Sequence, residues 1–364
     1  MCARLLSSAV ALGALAAALT LAPVARADSR DEWAAPSVLE DQKGTGWFLA
    51  FSPDGKLLAA TSGGFDQQTK KKLPNSVRLW DVEKRKLIRT LVADGPIIMG
   101  MAFTSDGKQR VTAGYDGTFR RVDVASGKEV DRVKLGERLA SARFSPDRKL
   151  VLLVIPRPKQ GQLFIPNEYH LREVDTGKTV KPDKPFPTDA VLALGPDAKA
   201  LVVTVLQPPD PRVKLPPGVP PIAGPMEGHL WDAKTGQMSE TLMKGTMTDA
   251  VFSPDGKRVL LNTLDLGATD RAIRFWDVTG KKLCAEKIPL TTFFNRFVFA
   301  DDGSLLAAGC FDHTIRLFET TKMAEAAVLK GTAPPEAVLF APDGKVLAAA
   351  QADGTIRLWK RKGP

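Results

Sequence analysis

The chain has 364 residues, a formal net charge of +10 and three cysteines. Such a length normally requires two or three domains, unless one core grows by repetition of a unit. So few cysteines exclude a disulfide-stabilised scaffold. The moderate excess of Lys and Arg does not by itself indicate a nucleic-acid or membrane partner.

The first 27 residues differ from the rest of the chain. Arg4 forms a short basic start, residues 5–21 are apolar, and residues 25–27 read Ala-Arg-Ala. This pattern predicts a secretory signal peptide over residues 1–27, cleaved after Ala27, and thus an exported protein, either periplasmic or secreted. An uncleaved membrane anchor is the alternative, because the apolar stretch is long for a signal.

Beyond the signal peptide no stretch of about 18 apolar residues occurs, so no membrane span is predicted in the mature chain. The net charge falls to about +8 when Arg4 and Arg26 leave with the signal. Because the protein is predicted to be exported, nucleic acid is not expected as its partner.

A six-residue phrase recurs seven times in the mature chain. It reads Phe-Ser-Pro-Asp-Gly-Lys in its fullest form and begins at Phe51, Phe103, Phe144, Leu194, Phe252, Phe299 and Phe340. Each copy predicts a tight hairpin, in which the aromatic residue ends one strand and Pro-Asp-Gly supplies the turn dihedrals before the next. The copies begin 41 to 58 residues apart, and self-similarity at a period of 40 to 50 residues indicates a solenoid or a propeller.

A second phrase follows each hairpin. In the first copy it reads Val-Arg-Leu-Trp-Asp-Val from Val77, and its alternation of apolar and polar residues is typical of a half-buried strand. The other copies begin at Phe119, Leu171, Gly228, Ile273, Ile315 and Ile356. A turn and a fourth strand complete each unit. Residues 28–364 are therefore predicted to form an all-β, seven-bladed β-propeller of four-stranded antiparallel blades.

The two phrases resemble the WD40-repeat family, whose third strand ends in Trp-Asp. The dipeptide is complete at Trp80-Asp81, Trp231-Asp232 and Trp276-Asp277, and blade 7 keeps Trp359. The resemblance implies structural roles for these residues and a rigid platform for binding partners; with the signal peptide, it implies an exported, bacterial-type member. The Gly-His pair that often precedes the first strand in this family is absent, so we expect the fold to depend on apolar packing between blades.

The ring is expected to close through its N-terminal segment. Blade 7 ends at Trp359 and a short basic tail without a fourth strand of its own, whereas a spare segment precedes the first hairpin. In that segment Val38 and Leu39 stand nearly as far from the following hairpin as Val328 and Leu329 of blade 6 do from theirs. We therefore expect Val38 and Leu39 to pair with blade 7.

Length variation is concentrated in one type of connection, between the second and third strands. Blades 1, 3, 4 and 5 exceed the 19-residue minimum spacing between hairpin and Trp-Asp position by 10, 11, 18 and 5 residues, in residues 66–76, 156–168, 207–228 and 264–272. These connections emerge on one face of a propeller, where loops often carry binding residues, although surface insertions are also tolerated without function. The candidate partner-binding residues are Lys70, Lys71, Lys72, Arg157, Lys159, Phe164, Arg212 and Lys214.

The sequence contains no recognisable catalytic or metal-binding motif. His170, His229 and His313 fall in or beside third strands of different blades, without an HExxH, C-x-x-C or G-x-S-x-G neighbour. No catalytic residue, metal ligand or cofactor is therefore predicted, although distant residues can converge in a central channel. Cys284 and Cys310 are expected in neighbouring blades as separate thiols, and the sequence leaves open whether they form a disulfide.

Three hypotheses of function follow. The first is a non-catalytic, monomeric scaffold that binds an unknown protein or peptide of the cell envelope through the face with the insertions. The second is a propeller enzyme or a binder of a small ligand at the central channel. The third is a charge-driven binder of anionic lipid or envelope polymer, for which Lys70, Lys71 and Lys72 are the natural contacts.

Overall fold

The structure, a computed structural model, describes residues 33–39, 42, 44, 46–65, 72–92, 97–156, 167–181, 190–206, 226–232, 235–244, 246–264, 272–289, 292 and 294–362. The predicted signal peptide lies outside the described residues. Within them the strands form seven four-stranded antiparallel sheets. No helix in these ranges has both the length and the apolar character needed to cross a membrane.

Each sheet is one blade. In blades 1 to 6 the first strand in chain order lies nearest the centre of the ring, and in blade 7 β26 does. Blades 1 to 4 consist of β2 (Leu49–Phe51), β3 (Leu57–Phe65), β4 (Lys72–Asp81) and β5 (Lys86–Val92); β6 (Ile98–Phe103), β7 (Gln109–Gly114), β8 (Thr118–Asp123) and β9 (Glu129–Lys134); β10 (Ser141–Phe144), β11 (Leu150–Pro156), β12 (Asn167–Glu173) and β13 (Thr179–Val180); and β14 (Ala190–Leu194), β15 (Ala200–Leu206), β16 (Met226–Asp232) and β17 (Gln237–Lys244). Blades 5 to 7 consist of β18 (Thr246–Phe252), β19 (Arg258–Leu264), β20 (Ala272–Asp277) and β21 (Lys282–Pro289); β22 (Phe294–Phe299), β23 (Leu305–Cys310), β24 (Thr314–Glu319) and β25 (Ala324–Lys330); and β26 (Pro335–Phe340), β27 (Val346–Gln351), β28 (Ile356–Lys360) and β1 (Ser37–Leu39).

The recurring hairpin phrase folds as a hydrogen-bonded turn. In blade 1 the Ser52 hydroxyl donates to Oδ1 of Asp54 at 2.6 Å, and the amide of Lys56 donates to the same oxygen at 3.0 Å. The amide of Leu57 donates in turn to Oγ of Ser52 at 2.9 Å. Gly55 adopts a φ of +69°, a conformation that favours glycine. The turn residues of the phrase are thus accounted for by turn geometry.

The core is divided among the seven blade interfaces. Seven apolar clusters of described residues each join two adjacent blades, and together they cover every interface of the ring. Trp80, Trp231, Trp276 and Trp359 are all buried, and each packs into the cluster shared with the preceding blade. This arrangement agrees with the expectation that apolar packing between blades dominates the fold.

The predicted ring closure is confirmed. β1 pairs antiparallel with β28, with Val38 opposite Arg357 and Leu39 opposite Ile356. Leu39 is only 2% exposed, whereas Val38 is 42% exposed. Trp33 extends the closure: it bridges to Arg361, is buried and packs in the blade 6 to blade 7 cluster. The first and last parts of the described chain therefore share one blade.

Polar networks reinforce the turns between second and third strands. Asp116 accepts a hydrogen bond from the amide of Thr118 at 3.0 Å and pairs with Arg120 at 2.9 Å. In blade 7, Asp353 accepts from Thr355 and from the hydroxyl of Thr332. Thr332 follows Gly331 ahead of β26. The turn aspartates thus also bind side chains beyond their own turn.

The two described cysteines lie in neighbouring blades, Cys284 in β21 and Cys310 in β23, and no disulfide joins them. Cys310 is fully buried, and this burial raises the pKa of its thiol to about 11. At neutral pH a thiol of this kind stays protonated, so it is a poor nucleophile.

Candidate functional site

The four inserted connections join strand ends on one face of the ring. They run from Phe65 to Lys72, Pro156 to Asn167, Leu206 to Met226 and Leu264 to Ala272, and the face that carries them is called the insertion face below. Among the candidate partner-binding residues, Lys70, Lys71, Arg157, Lys159, Phe164, Arg212 and Lys214 lie outside the described residues. Lys72 is the first residue of β4. The binding role of these eight residues therefore stays a prediction.

The short connections of the insertion face present two aromatic side chains that the sequence did not single out. Tyr115 and Phe311 stand at matching positions, each one residue before the turn aspartate of its blade. Tyr115 is 38% exposed and Phe311 is 57% exposed. Aromatic residues are enriched at protein–protein interfaces. Their recognisable signal is the matching position, which holds Ala352 in blade 7.

A cavity of about 910 Å³ occupies the centre of the ring and is lined by residues from all seven blades. Most of its wall is apolar, with side chains such as Phe48, Met99, Phe144, Leu192 and Phe297. A volume in this range and a largely apolar wall with a few polar groups are typical of small-molecule sites. The cavity is therefore a candidate site in addition to the insertion face.

Five charged residues line the cavity: Arg148 and Asp301, which pair with each other, and Arg143 in β10, Asp249 in β18 and Arg296 in β22. Arg143 is half-buried, and its Nε has no hydrogen-bond partner among the described residues. Burial raises the pKa of Asp249, and the nearby guanidinium of Arg143 opposes that rise. Arg296 donates from Nε to the carbonyl oxygen of Glu336 at 2.8 Å. Three blades thus bring charge of both signs into one cavity.

An ion pair crosses the mouth of the cavity on the face opposite the insertion face, where the hairpin turns lie. Arg148 of blade 3 donates from both terminal guanidinium nitrogens, Nη2 and Nη1, to the carboxylate of Asp301 in blade 6, at 2.7 and 3.2 Å. Arg148 occupies the glycine position of its hairpin phrase and adopts a φ of +59°, while Asp301 replaces the proline of its phrase. A non-glycine residue in this conformation costs about 1 kcal/mol. The two departures from the repeat therefore meet across the ring.

The histidines do not converge. His170 lies in β12 with Nε2 at 2.8 Å from Oε1 of Glu168, and His229 lies in β16 with Nε2 at 3.5 Å from Oε2 of Glu227. His313 lies in the turn before β24 of another blade. Over the described ranges, no three His, Cys, Asp or Glu side chains are grouped so as to hold a metal ion.

Replacement of two aspartates of blade 5, Asp249 and Asp255, is expected to shift the melting temperature in opposite directions. Burial raises the pKa of Asp249. Burial also acts on Asp255, but hydrogen bonds from Ser253 at 2.6 Å and from the amide of Lys257 at 3.0 Å lower its pKa overall. At pH 7 we therefore expect Asp249→Asn to raise the melting temperature and Asp255→Asn to lower it.

Both effects are expected to fade as the pH falls. Below a pH of about 3.9 the carboxyl of Asp249 is protonated in the folded and unfolded states alike, so its replacement no longer relieves a cost. The stabilising contribution of Asp255 is lost as the pH falls through its lowered pKa. Thermal unfolding of both variants between pH 7 and pH 3 measures this, and a destabilising Asp249→Asn at pH 7 would contradict it.

Comparison with known proteins agrees with the fold. The family described as WD domain, G-beta repeat matches residues 85–122, 291–319 and 326–360. The chain is 29% identical over 106 residues to "Small ribosomal subunit protein RACK1y" of Oryza sativa subsp. japonica, which covers 29% of each chain. It is 27% identical over 129 residues to "WD repeat-containing protein 26 homolog" of Arabidopsis thaliana, which covers 35% of this chain and 20% of that protein.

These alignments span less than a third of the length of either relative. The three family matches fall in blades 1 and 2, blade 6 and blade 7. The remaining blades repeat the same four-stranded sheet and the same hairpin phrase. The chain is therefore a seven-bladed β-propeller that carries WD40 repeats.

Proposed function

We propose that the chain is a non-catalytic scaffold that binds a protein or peptide outside the cytoplasm, through its insertion face. WD40-repeat proteins bind other proteins. The observation that carries the choice of face is that all four insertions connect second and third strands. Binding loops are often carried by a rigid scaffold. The scaffold holds the loop ends in place, so less conformational entropy is lost when a partner binds.

The residues of the insertion face favour a partner that presents both negatively charged and apolar groups. Lys70, Lys71 and Lys72 supply positive charge in the connection of blade 1, and Phe164 supplies an aromatic group in that of blade 3. The connection of blade 4 is rich in proline between Pro208 and Pro225. Proline-rich segments favour an extended conformation and lose little entropy when they dock. The exposed Tyr115 and Phe311 add apolar area on the same face.

Export is the second part of the proposal, and it rests on the signal-like residues 1–27. The mature protein is expected to begin at Asp28 and to be recovered from the extracytoplasmic fraction. Mass spectrometry of the N-terminal peptide checks this. A mature chain that still contains residues 1–27, or a purely cytoplasmic location, would contradict the proposed compartment.

Excision of residues 207–225 tests the binding role. Replacing this segment by a short turn like that of blade 2 is expected to leave the melting temperature nearly unchanged, because long surface loops contribute little to stability. We expect the variant to lose an envelope partner that the intact chain retains under the same salt conditions. Mass-spectrometric comparison of the co-purified proteins measures the loss.

A matched control lies on the opposite face. Lys56→Ala with Lys257→Ala alters two exposed hairpin residues and is expected to retain the partner. If the excised variant keeps the same partner with the same affinity, binding through the blade 4 connection is wrong. If instead binding disappears at high salt and on neutralising Lys70, Lys71 and Lys72 alone, a charge-driven binder of anionic polymer replaces the scaffold.

A further inference from the structure

The charges in the central cavity occupy positions that are uncharged elsewhere in the ring. Arg143 precedes the hairpin Phe of blade 3, where the other blades have Ala50, Ala102, Ala193, Val251, Val298 and Leu339. Asp249 and Arg296 stand three residues before the hairpin Phe, where the other five blades carry no charge. The scaffold itself therefore does not require charge at either position.

The balance of these charges is positive. Arg148 and Asp301 neutralise each other, and the remaining two guanidinium groups and one carboxylate leave a net charge of +1 within an apolar wall. Charge in such surroundings is costly unless it is compensated. Asp249 compensates in part, since it attracts Arg143, yet Nε of Arg143 still has no hydrogen-bond partner among the described residues. One further acceptor with a single negative charge would complete the cluster.

We propose that the central cavity binds a small organic carboxylate with an apolar body, held by Arg143 and Arg296. A carboxylate matches the planar fork of arginine and accepts two parallel hydrogen bonds from it. Its single charge neutralises the cluster, whereas a phosphate dianion would leave an excess negative charge beside Asp249. The aromatic and aliphatic wall then covers the apolar body of the ligand.

The two mouths of the cavity differ, and this sets the route of entry. Arg148 and Asp301 span the mouth on the hairpin side. On the insertion face the cavity is bordered by Phe311, which is exposed. The ligand therefore enters from the insertion face, with its carboxylate leading toward Arg143.

Matched pairs of probes test this site: decanoate against decanamide, and naphthoate against naphthamide. Within each pair the body is constant and only the negative charge differs. Isothermal titration of the full mature chain is expected to give saturable, one-to-one binding of the carboxylates and binding at least about tenfold weaker for the amides. Acetate, which lacks the body, is expected to bind far more weakly than either carboxylate.

Variants taken from the repeat itself separate the site from the surface. Arg143→Ala installs the residue of blades 1, 2 and 4, and Arg143→Val installs that of blades 5 and 6, so at least one is expected to fold. Each is expected to weaken carboxylate binding about tenfold or more. Asp249→Asn removes the competing charge and is expected to strengthen binding severalfold. Arg132→Ala, an exposed arginine of β9 outside the cavity lining, removes the same charge and is expected to bind as the unaltered chain does.

Three results would overturn the proposal. The first is an absence of saturable binding for both carboxylates at millimolar concentration. The second is equal affinity for a carboxylate and its amide, which would indicate an apolar site without charge recognition. The third is unchanged affinity in a folded Arg143 variant. Retention of the envelope partner by the Arg143 variants leaves the proposed scaffold role intact, so the two proposals are tested separately.

Discussion

Replacing Leu39 with alanine is expected to lower the free energy of unfolding by about 2–5 kcal/mol, whereas Val38→Ala is expected to change it by about 0.5 kcal/mol or less. Both residues lie in β1 and pair with β28. They differ in burial: Leu39 is packed in the blade 7 to blade 1 cluster with Leu58 and Ile356, and Val38 faces solvent. Urea unfolding of the two variants measures the difference, with strand pairing held constant.

Removal of residues 28–40 is expected to have a larger effect of the same origin. It deletes β1 and also Trp33, whose loss alone costs about 3–5 kcal/mol when the side chain is buried. It further leaves the backbone of β28 without its neighbour, and an open sheet edge promotes association between chains. Light scattering after size-exclusion chromatography detects that association. A truncated chain that is monomeric and melts at the same temperature would show that β1 does not fasten the ring.

The fold could be predicted from the sequence because the repeated phrases show the number and the spacing of the blades. Seven hairpin phrases fix seven blades, and the strand alternation after each phrase fixes which face is buried. Ring closure could also be predicted, because no fourth strand of blade 7 follows Trp359 and the segment around Leu39 precedes the first hairpin without a place in blade 1. The tryptophans then pack at blade interfaces as their phrase implies. Each of these inferences depends on local pattern alone.

The central site could not be predicted in the same way, because it is made by the ring as a whole. Arg143 and Asp249 are far apart in sequence and meet only because their inner strands line one cavity. The same holds for Arg148 and Asp301, which are 153 residues apart and form an ion pair. The sequence does carry a signal, since each of these residues departs from its repeat position. What it lacks is the information that the departures face one another.

Simultaneous replacement of Tyr115 and Phe311 by alanine is expected to weaken binding of the envelope partner by about thirtyfold or more, the loss of one or two central contacts of an interface. Both side chains are exposed on the insertion face and contribute little to the core. The melting temperature is therefore expected to change little. Titration of the purified partner, first captured with the intact chain, gives the two dissociation constants.

Ile88→Ala with Val130→Ala is the matched control for this pair. Both residues are 51% exposed, as apolar and as accessible as the two aromatic residues, but they lie in β5 and β9 at the outer rim of their blades. If exposed apolar area alone drove binding, the control would weaken it to a similar extent. If position on the insertion face decides, only Tyr115→Ala with Phe311→Ala weakens it. Equal losses of affinity in both double variants would therefore exclude the insertion face as the specific interface, however tightly the unaltered chain binds its partner.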